Sequence, residues 1–299
     1  MPPEVKTIRI DRVVFQQTLE KKLADLPPLP AVVTRIMQTI NNPTTSAEEL
    51  SRLISLDQGL ASKILRIVNS AYYGFPKRIS TITHAVVILG FNTVRNLVLG
   101  VSAFGMLPQK GTSSGLNRAK FWEHSVAVAI MSSAITKKRN PQTRSAMEEA
   151  FIVGLLHDLG KLFLDCYFPV QFAVCVAFAG RENISQVEAE KRVLDIDHTI
   201  VGRKIAEHWN FPPMLTNAIG AHHAPDPATE HFDMAAVILV ADWMVWQAGV
   251  PSTEGVCAPE LPQAIDDWLM FSEQDFADVR ADWEAQYHAA KDLLRLVSG

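Results

Sequence analysis

Histidines and aspartates in the second half of the chain sit where apolar residues are expected, and these are the side chains that take up divalent metals. The segment Leu155-Leu156-His157-Asp158-Leu159-Gly160-Lys161 sets an imidazole beside a carboxylate within an apolar helical run, although burying either alone is costly. On one helix Asp158 and Lys161, three residues apart, share a face, so the ammonium can pair with the carboxylate or meet a phosphate beside it. Alone, the segment reads equally as a buried ion pair next to a satisfied histidine. Other polar residues repeat the pattern. His124 falls in the apolar run 121–130, His198 follows Asp197 at a helix start, His222-His223 closes a helix that begins at Pro213, and Asp242 interrupts the apolar stretch 234–245. Each alone is commonly a capped or hydrogen-bonded structural residue. Converging inside a helical bundle, imidazoles and carboxylates describe a site for Zn, Mn, Fe or Ni.

The elements that must carry these residues all read as helices. Apolar positions recur at three and four along the 299 residues, and no long alternating strands appear between turn signals. The expected fold is all-α. In the first part the pattern predicts helices over residues 29–40, 46–54, 60–68, 82–89 and 94–104, with Ser46 and Glu49 in a capping-box arrangement. Residues 108–115, rich in Pro, Gly and Ser, suit a linker. They divide the chain into an N-terminal helical subdomain (1–110) and a helical metal-site subdomain with a C-terminal extension (116–299). The second part is predicted to hold helices over 121–137, 148–164, 170–179, 185–193, 198–209, 213–223 and 232–249, and from 265 onward.

Composition narrows the function. With 28 Lys and Arg against 32 Asp and Glu, the formal charge of −4 supplies no global field for phosphate backbones. A helical DNA-binding regulator would also want a recognition helix rich in Arg, Lys, Asn and Gln, which the short N-terminal helices lack, so nucleic acid is an unlikely partner. The three cysteines form neither a disulfide framework nor a Cys-rich zinc site, which suits a reducing cytosol and a cytoplasmic protein. The first dozen residues carry Glu4, Lys6, Arg9, Asp11 and Arg12 rather than a signal-peptide core. No uncharged apolar run reaches the roughly 18 residues of a spanning helix, so no membrane is expected.

Weaker candidates are expected to be structural. His84 should pack or hydrogen-bond; His208, His231 and His288 belong at surfaces or helix ends. Lys137-Lys138-Arg139 reads as a solvated helix end complementing the dipole. Asn69, Ser70, Tyr72 and Tyr73 could form a polar binding surface or simply stop a helix, and Trp243 and Trp246 are expected in the core. Glu123, one residue before His124, would point about 100° away from it.

The order His124, His157-Asp158, Asp242 resembles the H…HD…D pattern of the HD superfamily of helical metal-dependent phosphohydrolases. His198 and His222-His223 are similar to the extended ligand set of two-metal HD-GYP phosphodiesterases. The N-terminal segments 26–30, 54–60, 65–74 (ending Asn69-Ser70-Ala71-Tyr72-Tyr73-Gly74) and 82–90 look like the HDOD, or HD-related output, domain of bacterial signalling proteins. The resemblance implies an HD/HDOD bundle with the N-terminal subdomain packed on the HD-like one. It implies one or two divalent transition metals, Fe or Mn ahead of Zn or Ni. Asp158 would bridge them, with His124, His157 and Asp242 on one and His198, His222 and His223 on the other. Asp158 and Lys161 would carry catalysis, Lys161 by stabilising charge on a phosphoryl group and a water between the cations as nucleophile. The chain reads His222-His223-Ala224-Pro225-Asp226-Pro227 where HD-GYP enzymes carry their Gly-Tyr-Pro segment, so cyclic di-GMP hydrolysis is not expected. The expected role is a regulatory output or sensing module with signalling-protein partners. The alternative is a metal-dependent phosphohydrolase acting on a nucleotide or related phosphoester.

Overall fold

Side-chain caps start many of the helices where the sequence places Ser, Thr, Asp or Asn. The computed structural model describes residues 10–40, 45–70, 73–107, 116–142 and 144–290. In the first part, α1 (Arg12–Ala24), α2 (Ala31–Ile40), α3 (Ala47–Ser55), α4 (Gln58–Val68), α5 (Ile82–Leu89) and α6 (Phe91–Met106) follow one another with short connections. Asp11, Ser46, Asp57 and Thr81 each accept backbone N–H bonds at the starts of α1, α3, α4 and α5, satisfying donors that have no partner within the helix. Asn69 ends α4 and does more. Its amide donates to the Leu65 and Ile79 carbonyls and its oxygen accepts the Ile79 N–H, all at 2.7 Å, so one side chain pins the following segment to the helix. Tyr72 and the 108–115 segment, where the boundary between the two parts is expected, lie outside the described residues.

The second part holds α7 (Arg118–Arg139), α8 (Arg144–Leu156), α9 (Leu159–Tyr167), α10 (Pro169–Glu182), α11 (Gln186–Leu194), α12 (His198–His208), α13 (Pro213–Ala221), α14 (Phe232–Gln247), α15 (Gln263–Leu269) and α16 (Glu273–Ala289). Among the described residues there is no strand; one isolated bridge joins Ser185 and Cys257. The fold is all-α, as expected. Two expected helices are each divided. The 148–164 helix breaks at His157-Asp158 because the His157 ring takes up the Gly154 carbonyl at 2.7 Å, an acceptor that a continuing helix would use. The last helical stretch divides at Met270, whose φ of 55° leaves the helical region. A further correction concerns Lys137-Lys138-Arg139, which is no merely solvated end. Lys137 pairs with Asp282 and Lys138 with Asp275 and Asp278, while the Arg139 guanidinium stacks 3.7 Å from the Trp268 ring centre, tying α7 to α15 and α16.

Buried apolar residues from both parts form one continuous core. α6 packs on α8 and α1 on α12, and Trp209 and His208 bond the Pro27 and Leu26 carbonyls at 3.0 Å. The N-terminal helices therefore brace α12, which carries His198. No single helix among the described residues is long and apolar enough to cross a membrane.

Candidate metal centre

Four helices and one bend bring the seven proposed ligands into one cluster. The body of α7 supplies His124 and the body of α14 supplies Asp242; the α8–α9 bend presents His157 and Asp158; the start of α12 gives His198 and the end of α13 gives His222 and His223. Close approach of α9 and α12 makes this possible. A Cβ on Gly160 would lie 1.9 Å from the His198 carbonyl oxygen, so only glycine allows Asp158 and His198 to face each other.

The protonation of the imidazoles is set from outside the cluster. Nδ1 of His124 faces the Val250 carbonyl at 2.7 Å, that of His157 the Gly154 carbonyl at 2.7 Å, and that of His222 the Ile219 carbonyl at 2.8 Å. A carbonyl only accepts, so each Nδ1 carries the proton and a neutral ring turns its Nε2 lone pair inward. His198 is held the same way by a carboxylate, since Glu190 Oε2 accepts both its Nδ1–H and its backbone N–H at 2.7 Å. With the rings neutral, acceptors face acceptors inside. His124 Nε2 lies 3.1 Å from Asp242 Oδ1, His157 Nε2 3.4 Å from Asp158 Oδ2, and His198 and His222 Nε2 3.3 and 3.7 Å from Asp158 Oδ1. These nitrogens, His223 Nε2, Asp158 Oδ1 and both Asp242 oxygens are buried without hydrogen-bond partners. Such a set is satisfied by cations or by added protons. Two overlapping groups have donor atoms within 4.8 Å of one another: His124, His157 and Asp158, and Asp158, His198, His222 and His223. Asp158 belongs to both, and the set fits one or two divalent cations.

Asp158, Asp242 and Glu190 are buried against one ammonium, Lys161, which reaches Asp158 Oδ2 at 2.7 Å and Ser252 Oγ at 3.0 Å. Burial works against ionised Asp158, yet His157 and Lys161 hold it well below the ordinary carboxylate range. Burial likewise opposes the charged form of His198, but Glu190 and Asp158 carry it up to about 9, so a metal ligated by His198 must displace a proton. His222 and His223 are pushed down, first by burial and then by neighbouring cationic groups. Asp242 is lowered despite its burial by His124.

Beside the cluster lies a cavity of about 630 Å³, bounded by Lys161, His198, His223, Asp242 and Trp246 and by the 183–188 and 256–260 segments. Trp246, expected in the core, is half-buried on its wall, whereas Trp243 packs against the core as expected. Residues 250–257 strap the site: the Val250 carbonyl holds His124, Ser252 holds Lys161, and the Cys257 N–H reaches the Ile184 carbonyl. Glu123 faces away, accepting the Tyr287 hydroxyl at 2.6 Å. Sequence reasoning missed Glu190 and its own anchor, Gln186 Nε2 at 2.8 Å. In QVEAEKRVL nothing separates buried Glu190 from half-buried Glu188 except the helix phase.

A family model of the HDOD domain matches residues 26–225. The chain belongs to the HDOD family. Asp242 lies beyond the matched span of this HDOD protein and joins the site through the fold. An uncharacterised protein of Treponema pallidum (strain Nichols) is 27% identical over 215 residues, covering 72% of this chain and 41% of that protein. Ribonuclease Y of Mycoplasma mycoides is 27% identical over 159 residues, 51% of this chain and 29% of the relative. The chain thus spans less than half of either relative. Among solved structures, a signal transduction protein from Marinobacter aquaeolei VT8 superposes with a TM-score of 0.76 at 21% identity, over 97% of this chain and 67% of that one. An HDOD domain protein from Geobacter sulfurreducens gives 0.67 at 22%, over 96% of each. A phosphohydrolase from Shewanella amazonensis SB2B gives 0.62 at 26%, over 89% and 97%. The likenesses to the first two establish the fold.

Proposed function

We propose that this HDOD protein is a bacterial signal-transduction module, acting as a regulatory output or sensing unit around a mono- or dinuclear centre of divalent transition metal. In this reading His124, His157, Asp158 and Asp242 would hold one cation, and Asp158, His198, His222 and His223 would hold the other. The observation that carries it is the inward set of Nε2 atoms and carboxylate oxygens, buried together without hydrogen-bond partners while carbonyls hold the outer Nδ1 atoms. The description of the Marinobacter protein as a signal transduction protein supports the signalling role. In this reading residues 1–110 and 116–299 are two subdomains, and signalling proteins are the partners.

The test is elemental analysis of the purified protein beside a His157→Ala, Asp158→Ala double variant, both checked for folding by circular dichroism. One or two equivalents of Fe, Mn, Zn or Ni in the parent and none in the folded variant are expected. A folded parent that carries no metal from either aerobic or anaerobic preparation overturns the reading.

A second reading, metal-dependent phosphohydrolysis of a nucleotide or related phosphoester, is favoured by the cavity that opens directly onto His198, His223 and Asp242. Paired divalent cations held by these residues would lower the pKa of water and draw charge from phosphoryl oxygens. The chain's own part is to orient: the carbonyls and Glu190 fix the rings, and the strap limits water. Lys161 is committed to Asp158 and Ser252, so it tunes Asp158 before it meets any substrate. Metal-dependent cleavage of bis(p-nitrophenyl) phosphate that disappears in Asp158→Ala establishes this reading; parent protein loaded with Mn or Fe and inert toward phosphoesters removes it.

A further inference from the structure

The first part of the molecule holds a second cavity, of about 1040 Å³, between α4 and the segment that Asn69 pins to it. Its chemistry differs from that of the metal centre. Arg66 and Arg78 contribute two guanidiniums and no acidic side chain lines it. Neither arginine makes an ion pair among the described residues, whereas Arg192, Arg203 and Arg144 in the second part each pair with a glutamate. Arg66, in the last turn of α4, also suits the helix dipole; Arg78 lies outside any helix and has no such role. Below them the Ser70 hydroxyl is shielded from solvent, 8% exposed as a residue and without a hydrogen-bond partner. A buried hydroxyl left so is costly unless something brought into the cleft answers it. Leu65, Ile79 and Phe75 supply an apolar wall, and the Phe75 ring is itself backed by Tyr73, parallel at 6.1 Å.

We infer that this cleft binds a small phosphomonoester with a planar or apolar body, of nucleoside monophosphate size, its phosphate between Arg66 and Arg78 and its body on the Phe75 wall. Guanidinium forks match phosphate oxygens in geometry, and two uncompensated cations beside a low-dielectric wall concentrate anions. Both N–H groups of the Asn69 amide are spent on backbone carbonyls, so it shapes the floor, and Ser70 is the buried hydroxyl left for a ligand. The volume lies at the upper end of small-ligand sites and leaves room for base, ribose and phosphate together.

The experiment is calorimetric titration of the full chain with the 5′-monophosphates of adenosine, guanosine, cytidine and uridine, beside the free nucleosides and inorganic phosphate. At least one monophosphate is expected to saturate with a Kd below about 1 mM, at least tenfold tighter than its nucleoside or phosphate alone. Arg66→Gln and Arg78→Gln, both exposed and harmless to folding, should each weaken it at least tenfold, and Ser70→Ala less, with metal content unchanged. Binding that persists in Asp158→Asn separates this cleft from the metal centre. Failure of all four monophosphates, affinity equal to that of inorganic phosphate, or binding indifferent to Arg78→Gln overturns the assignment. So does a single-stranded oligonucleotide that binds through the same arginines when the monophosphates do not.

Discussion

Every buried ionisable side chain among the described residues belongs to the second part of the molecule. In the first, the buried polar groups are Ser70, Thr93, Asn96 and Ser102, all neutral; in the second they include His124, His157, Asp158, Lys161, Glu190, His198, His222 and Asp242. Both parts are helical, apolar inside and capped by the same residue types, so secondary structure does not distinguish them. The difference lies in where charge is spent. The first part keeps Arg66 and Arg78 on the surface beside an open cleft, and the second accepts the cost of burying carboxylates, a cost that only a cation or a full complement of hydrogen bonds offsets.

The most direct way to break the contrast is to remove Asp158, which belongs to both donor groups. Asp158→Ala should take metal content from one or two equivalents to none by elemental analysis, and it strands the Lys161 ammonium, a loss of about 3–5 kcal/mol for a broken buried pair. Asp158→Asn, which keeps the volume, separates the two effects. Next in size come paired glycine substitutions of opposite sign. Gly160→Ala must push α9 off α12, because its Cβ would meet the His198 carbonyl oxygen, and should lower the denaturation midpoint steeply together with metal content. Gly105→Ala, on an exposed stretch of α6 with nothing within 4 Å of the new Cβ, should raise stability by about 0.5–1 kcal/mol. Glu190→Gln tests the outer shell: losing the carboxylate that orients His198 should weaken metal about 10–100-fold in chelator competition while the fold persists. Asn69→Ala, in the first part, should cost about 1–3 kcal/mol by chemical denaturation, since it leaves the Ile79 backbone groups without their partner, and it should not alter metal content.

What was legible in the sequence follows from what a periodic pattern encodes. Helix bodies appear because burial repeats at 3.6 residues, and the ligands stand out because His and Asp interrupt that repeat at His124, His157-Asp158 and Asp242. The break at His157-Asp158 was illegible, since Leu155, Leu156, Leu159 and Leu162 keep the apolar rhythm on both sides, and only the ring-to-carbonyl bond of His157 ends the helix. Glu190 was missed for the opposite reason: it sits among charged neighbours on an amphipathic helix, and its burial depends on α11 lying against the start of α12. Trp246 and the basic end of α7 were assigned by residue type, whereas their roles depend on the cavity and on α16, elements far away in the chain.

The smallest expected effect sharpens the comparison at the seam between the parts. Glu148, on the α8 helix that α6 packs against, is pushed up to about 6, burial outweighing its 3.0 Å bond with Arg144. A carboxyl group that holds its proton more tightly when folded stabilises the fold below its unfolded pKa of about 4.5, and that contribution is lost as pH rises through about 6. Glu148→Gln, which keeps the neutral shape at every pH, should therefore match the parent in thermal midpoint near pH 4.5 and exceed it by a small, constant margin above pH 6. Metal content should be identical throughout, because Glu148 is not among the cluster's donors. A margin that is flat across this range would mean that the Arg144 pair already neutralises the cost of charging Glu148. The metal centre would then be the place where this fold accepts uncompensated buried charge.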